Sequence, residues 1–129
     1  MEVKLLILVV EDEHLIGLTV KDALQDGGYA VRHVASGDEA IAFLEQEEPK
    51  PCAVITDIRL GTGPDGWAVA RRARELNSAV PVVYMSGDSA QEHSARGVPR
   101  SLMLQKPFAP AQVVTAISTL LNEAQMAPD

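Results

Sequence analysis

Several short apolar runs in this chain end in groups that could do chemistry together. Glu11 and Asp12 follow Leu5 to Val10, and Asp57 closes Ala53-Val54-Ile55-Thr56. Ser86 follows Val82 to Met85, and Lys106-Pro107 comes just after Leu102 to Leu104. If these runs are parallel strands of one sheet, three carboxylates, a hydroxyl and an ammonium meet on one rim. Carboxylates that close repel one another, and their ionised state needs a cation. Oxygen donors without His or Cys favour a hard ion, and Mg²⁺ typically takes one or two carboxylates while keeping several waters. Such a rim can receive a phosphoryl group, because phosphoryl transfer depends mostly on positioning and charge stabilisation. Asp57 is the candidate nucleophile, forming an acyl phosphate. Lys106 offers a point charge, Ser86 a hydrogen bond, and Gly87 leaves room for the group to enter. Taken singly, each signal has a plainer reading: Glu11-Asp12 as helix caps, Lys106-Pro107 as an ordinary loop. Their recurrence at successive strand ends is what points to a site.

The elements that must position these groups are legible as five strand-like runs alternating with five helix-like ones. Val3 to Val10 is nearly continuous in aliphatic residues, as a strand buried on both faces requires. Glu13 to Asp26 reads as a helix stopped by Gly27-Gly28. Tyr29 to Val34 reads as a strand. Ser36 then caps a second helix, with Glu39 completing a capping-box pattern, and Cys52 to Ile58 forms the third strand. Gly61-Thr62-Gly63-Pro64 is a loop by composition. A helix from Gly66 to Leu76, a strand from Val80 to Met85 and a weak helical stretch from Ser89 to Arg96 follow. Ser101 to Gln105 is the fifth strand, and a final helix starts near Pro110, with Val113, Val114, Ile117, Leu120 and Leu121 on one stripe. This alternation means a parallel α/β sheet covered by helices on both faces. In such sheets ligands bind at the carboxyl ends of the strands, which is where Glu11, Asp12, Asp57, Ser86 and Lys106 fall.

Bulk properties narrow the function. At 129 residues and 47% hydrophobic, the chain is one domain's worth with a packed core. Its net charge of −7 makes it a poor nucleic-acid binder, and Arg71, Arg72 and Arg74 read as a solvated helix face. The longest apolar stretch is six residues, far short of the roughly 20 that span a membrane. With no secretory signal and a lone Cys52, a cytoplasmic protein without nucleic-acid or membrane partners is expected. His14, His33 and His93 lack metal-ligand spacing and read as surface residues. Cys52 reads as a small core residue, and Trp67 as packing the third helix onto the sheet.

The chain resembles a response regulator receiver domain over essentially its whole length. The match rests on the acidic pair Glu11 and Asp12, the phosphoacceptor position Asp57, the hydroxyl residue Ser86 and Lys106-Pro107 followed by Phe108. Asp65-Gly66 and Gly27-Gly28-Tyr29 also match. The resemblance implies a flavodoxin-like sheet of order 2-1-3-4-5 over residues 1–121, with 122–129 as a short polar tail. It implies Mg²⁺ held by Glu11, Asp12, Asp57 and the Arg59 backbone carbonyl, and a cis bond before Pro107. It also implies transfer to Asp57 from a phosphohistidine on a sensor histidine kinase or histidine phosphotransfer protein. A downstream protein would bind the face of the fourth helix, fifth strand and fifth helix. Catalysis would be confined to the protein's own phosphorylation and dephosphorylation, and a stand-alone receiver is expected.

Three departures from the family pattern bear on mechanism. Met103 stands where an aromatic switch residue is usual. The loop from Asp57 to Asp65 is a residue longer than usual and lacks Met-Pro. Arg59 and Asp88, each two residues beyond a site residue, are expected to pair across the entrance and hinder the hydrolytic water. Other functions fit less well. A haloacid dehalogenase-type phosphatase needs an Asp where Arg59 stands, and a dinucleotide-binding module needs a Gly-rich loop that is missing after Val10. A pseudo-receiver, folded but never phosphorylated, is the remaining alternative.

Overall fold

A strand that is apolar on both sides is stable only where helices cover both faces of its sheet. In the computed structural model, which describes residues 3–126, the chain meets that condition with five parallel strands. These are β1 (Leu6–Val10), β2 (Ala30–Val34), β3 (Ala53–Asp57), β4 (Val82–Ser86) and β5 (Ser101–Gln105), in the order β2-β1-β3-β4-β5. Every residue of β3 and β4 is buried. The edge strands β2 and β5 are only half covered, with Arg32, Leu102 and Gln105 exposed. The strand order reverses between β1 and β3, so the crevice at their carboxyl ends is where such a sheet takes a ligand.

Alternate residues along each strand point to opposite faces, and each face has its own core. On one, α1 (His14–Asp26) and α5 (Pro110–Met126) bury Val20, Leu24, Val113, Ile117 and Leu120 against Ile7, Val9, Ile55, Val83 and Met85. On the other, α2 (Gly37–Glu45) and α3 (Gly66–Leu76) bury Ala40, Phe43, Leu44, Trp67 and Ala70 against Leu8, Val10, Val54 and Tyr84. The stretch after β4 has no apolar stripe to bury. It forms a 3-10 turn, Ala90–Glu92, running into a single-turn α4 (His93–Arg96), and neither buries a residue.

The boundaries differ from the sequence reading where water reaches the chain. Val3 is 89% exposed, and the pairing of β1 with β2 begins only at Leu6 opposite Ala30. Proline has no N–H for the ladder. Pro81 therefore stands just before β4, offering its carbonyl to the Val54 N–H at 2.9 Å. Ser36 caps α2 by accepting the Glu39 N–H at 3.1 Å, but Glu39 reaches one residue past the cap, to the Ala35 N–H at 3.3 Å, so the capping box is not closed. Residues 122–126, expected as a polar tail, continue α5 as helix. Arg74 is not on a solvated face: its Nε donates to the Val80 carbonyl at 2.6 Å and its Nη1 to that of Pro99 at 2.5 Å. No helix among the described residues is long and apolar enough to cross a membrane.

One glycine ties the fold to the rim. Gly66 opens α3 directly against the end of β3, donating its N–H to the Ile58 carbonyl at 2.8 Å. A Cβ there would fall on the Asp57 carbonyl oxygen and 2.8 Å from Ile58 Cα. Both are main-chain atoms and cannot swing aside. Gly66→Ala is expected to destabilise the fold by about 1–3 kcal/mol, the usual range for overpacking, as read from the urea midpoint. An unchanged midpoint would show that the loop after β3 gives way freely.

Candidate functional site

Register alone brings the acidic residues level. Val10 pairs with Thr56 across β1 and β3, so Glu11 and Asp57 leave the sheet side by side. One ligand oxygen from each of Glu11, Asp12 and Asp57 lies within 4.8 Å of the others. Glu11 is fully buried and Asp57 is 7% exposed, whereas Asp12 faces solvent. Lys106, at the end of β5, reaches over both buried carboxylates. Its Nζ donates to Glu11 Oε1 at 2.9 Å and to Asp57 Oδ2 at 3.2 Å. The Lys106–Pro107 peptide is cis. Sequence-predicted Glu11, Asp12, Asp57 and Lys106 are thus one cluster.

The cluster is short of positive charge. Burial pushes the Glu11 carboxyl from its ordinary 4.5 up to about 7, against the pull of the Lys106 hydrogen bond, and the neighbouring Asp57 charge adds to the rise. Burial pulls the Lys106 ammonium down, but its hydrogen bond to Glu11 and the charges of Asp57 and Glu11 outweigh that, leaving a net shift upward. An all-oxygen set of three carboxylates, with a single ammonium offsetting two of them, fits a hard divalent cation.

The hydroxyl of Ser86 is already occupied as an acceptor. Its Oγ takes the Ser89 N–H at 2.7 Å and the Asp88 N–H at 3.2 Å, so it holds the turn leading to α4. Its hydrogen is left to donate. Ser86 is anchored by the Lys106 N–H on its carbonyl at 2.8 Å. Asp88 and Arg59 meet above the cleft, Arg59 Nε lying 2.9 Å from Asp88 Oδ2. The Arg59 hydrogen bond holds Asp88 below the ordinary carboxylate range, and Asp88 raises Arg59 in turn.

Met103 is half-buried opposite Tyr84 in the β4–β5 pairing. The aromatic ring in this region sits on β4 instead. Tyr84 is fully buried, its hydroxyl oxygen accepts the Val98 N–H at 3.0 Å, and its ring lies 4.8 Å from Trp67 and 5.6 Å from His93. Cys52 donates its thiol hydrogen to the Leu6 carbonyl at 3.2 Å, and burial pushes its pKa up. Two histidines depart from the surface reading. His93 is half-buried with Nε2 2.8 Å from Ser101 Oγ, and His33 is half-buried with Nε2 3.0 Å from the Glu11 carbonyl oxygen. Strand alternation carried the signal for His33, which shares a face with Tyr29 and Val31. An apolar groove lined by Leu15, Ile16, Pro107 and Phe108 also borders Lys106, and nothing in the periodicity of α1 separated it from an ordinary helix face.

A five-stranded parallel sheet of this order, carrying an acidic trio and a lysine at its carboxyl rim, defines a receiver domain of two-component signalling. The family model for the response regulator receiver domain matches residues 7–118, and the chain belongs to that family. It is similar to a response regulator receiver protein from Sinorhizobium medicae of known crystal structure, with 44% identity and a TM-score of 0.90. That match covers 94% of this chain and 97% of the other. Among curated proteins it is 31% identical to the transcriptional regulatory protein ResD of Bacillus subtilis and 30% identical to the sensor kinase CckA of Brucella abortus. The matches cover 92% and 91% of this chain but only 48% of ResD and 12% of CckA, so the chain spans half or less of these relatives' length.

The raised Glu11 carboxyl has a consequence for stability. Between about pH 4.5 and 7 the folded state holds a proton on Glu11 that the unfolded state has released. Its contribution to stability is therefore complete below that window and lost as pH rises through about 7. Without divalent cations, Glu11→Gln is expected to melt near the wild type at pH 5 and above it at pH 8. Parallel melting curves at both pH values would contradict this placement of the carboxyl.

Proposed function

We propose that this receiver accepts a phosphoryl group on Asp57 from a phosphohistidine donor and signals through the resulting charge. The observation that supports this most directly is the joint grip of Lys106 on Glu11 and Asp57, with Asp12 beside them. Glu11, Asp12, Asp57 and the Arg59 backbone carbonyl are the groups that would hold Mg²⁺. When bound, the ion offsets the charge of the acidic cluster and of the phosphoryl oxygens. A carboxylate oxygen of Asp57 forms the new P–O bond as the P–N bond to the donor imidazole breaks. Lys106 turns its ammonium to one phosphoryl oxygen, and the free hydrogen of the Ser86 hydroxyl is available to another. The donor is a sensor histidine kinase or a histidine phosphotransfer protein. The apolar groove bordering Lys106 gives it a surface on which to seat.

Phosphorylation adds about −1.5 to −2 charge. With Met103 at the usual switch position, that charge is read through the turn Ser86 holds. An oxygen drawn toward the phosphate no longer serves the Ser89 and Asp88 N–H groups, and the weakly packed α4 segment is released with them. This biases the face of α4, β5 and α5 toward a downstream protein or onward transfer. The protein's own catalysis is confined to gaining and losing the phosphoryl group.

Intact mass after incubation with acetyl phosphate is expected to rise by one phosphoryl group, only with Mg²⁺ present and never in Asp57→Ala. If neither acetyl phosphate nor any phosphorylated histidine donor produces an adduct, the chain is a pseudo-receiver and the reading fails. The exposed Arg59–Asp88 pair lines the same cleft as Asp57, and its role on this reading is to hinder the hydrolytic water. Arg59→Ala should shorten the phospho-Asp57 lifetime a few fold, followed by loss of the mass adduct over time, and an unchanged decay would rule out a screening role.

A further inference from the structure

The edge strand β2 supports the acidic rim from behind with one side chain. His33 points to the α1 side of the sheet, in line with Tyr29 and Val31, which pack into the core beneath α1 and α5. Its imidazole rests directly on Gly17 of α1. A Cβ on Gly17 would land on ring atoms Cε1 and Nε2 and lie 3.1 Å from Nδ1. Any side chain at position 17 would therefore displace the ring.

Seated there, His33 Nε2 lies 3.0 Å from the Glu11 carbonyl oxygen. A carbonyl oxygen only accepts, so the hydrogen is on Nε2. The Glu11 N–H donates to the Val34 carbonyl at 3.1 Å. Both main-chain groups of Glu11 are thus held by consecutive residues of β2. The Glu11 carbonyl belongs to the peptide that joins Glu11 to Asp12, and a peptide is a rigid plane. Fixing its oxygen fixes the rotation of that plane, and with it the direction in which Asp12 leaves the chain. Asp12 is the exposed carboxylate of the three and is repelled by the other two. Without a hold on the plane, repulsion would turn Asp12 outward.

We propose that His33, seated on Gly17, is a positioning residue that aims Asp12 at the cation by locking the Glu11–Asp12 peptide. This rests on the reading that Glu11, Asp12 and Asp57 hold Mg²⁺. It adds a residue from an edge strand that touches neither the metal nor the phosphoryl group.

The test is the Mg²⁺ affinity of the whole chain by calorimetric titration, with the melting temperature in EDTA recorded alongside. His33→Met fills the space without a donor, while His33→Gln keeps an N–H. Loss of an outer hydrogen bond of this kind typically weakens metal binding 10–100-fold, so His33→Met should bind about tenfold more weakly and His33→Gln should stay within about threefold of wild type. Gly17→Ala reads the same contact without altering His33 and should show the same loss. Alanine favours helix over glycine, so that loss cannot come from α1 propensity. In a His33→Ala background, Gly17→Ala should cost nothing further, because no ring remains to displace. A purely structural role would lower the melting temperature and leave Mg²⁺ affinity unmoved, and that result overturns the proposal. If His33→Met does not fold, wild-type affinity in Gly17→Ala overturns it equally. A wild type that takes up no Mg²⁺ defeats the metal reading and this inference together. A binding wild type with insensitive variants removes only the role of His33.

Discussion

Two carboxylates buried side by side need a counter-charge, and in this protein Lys106 supplies it, 2.9 Å from Glu11 and 3.2 Å from Asp57. The contact with Glu11 joins residues 95 positions apart. Leaving charge unpaired in a dry site costs far more than leaving an ordinary polar group there. The ends of β1, β3 and β5 must therefore meet, and the rest of the architecture can be read as the means of bringing them together. Parallel strands put all their carboxyl ends on one edge, right-handed crossovers return the chain to the same edge each time, and two helical layers keep the strands dry. Even so, one ammonium offsets only two of the three carboxylates, and burial, with the Asp57 charge added, still pushes the Glu11 carboxyl up to about 7.

Much of this was legible in the sequence because strands buried on both faces leave a strong trace. Runs such as Ala53 to Thr56 and Val82 to Met85 have few alternatives in a chain of this size, and the polar residue ending each run marks the rim. Helix α3 and strand β5 have the bounds the sequence suggested. The chain ends of elements were harder. Val3 and Lys4 look like strand but have no partner strand beside them, and α5 continues through polar residues because a helix needs only one apolar face.

What stayed hidden depends on contacts between elements far apart in the chain. The role of His33 requires knowing that Gly17 lies beneath its ring. Arg74 looked like part of a charged face until the Val80 and Pro99 carbonyls, in the segments leading into β4 and β5, came within reach of its guanidinium. Tyr84 reads as one more buried residue of a central strand. Only the packing shows that its hydroxyl accepts the Val98 N–H and that it stands beside Met103 across the β4–β5 pairing. Periodicity identifies the face a side chain occupies, not its neighbour across the interface.

Trp67 is the chain's one tryptophan, and its surroundings make it more than core filler. It is 1% exposed, with Tyr84 at 4.8 Å on one side and the Arg96 guanidinium at 5.5 Å over its ring. Arg96 closes the single-turn α4, and Tyr84 lies two residues before Ser86. The indole therefore stands between the strand that carries the hydroxyl and the segment that hydroxyl restrains. A guanidinium lifted from its face changes the local field and polarity that set its emission. The protein carries its own optical gauge of α4, readable in dilute solution with no label attached.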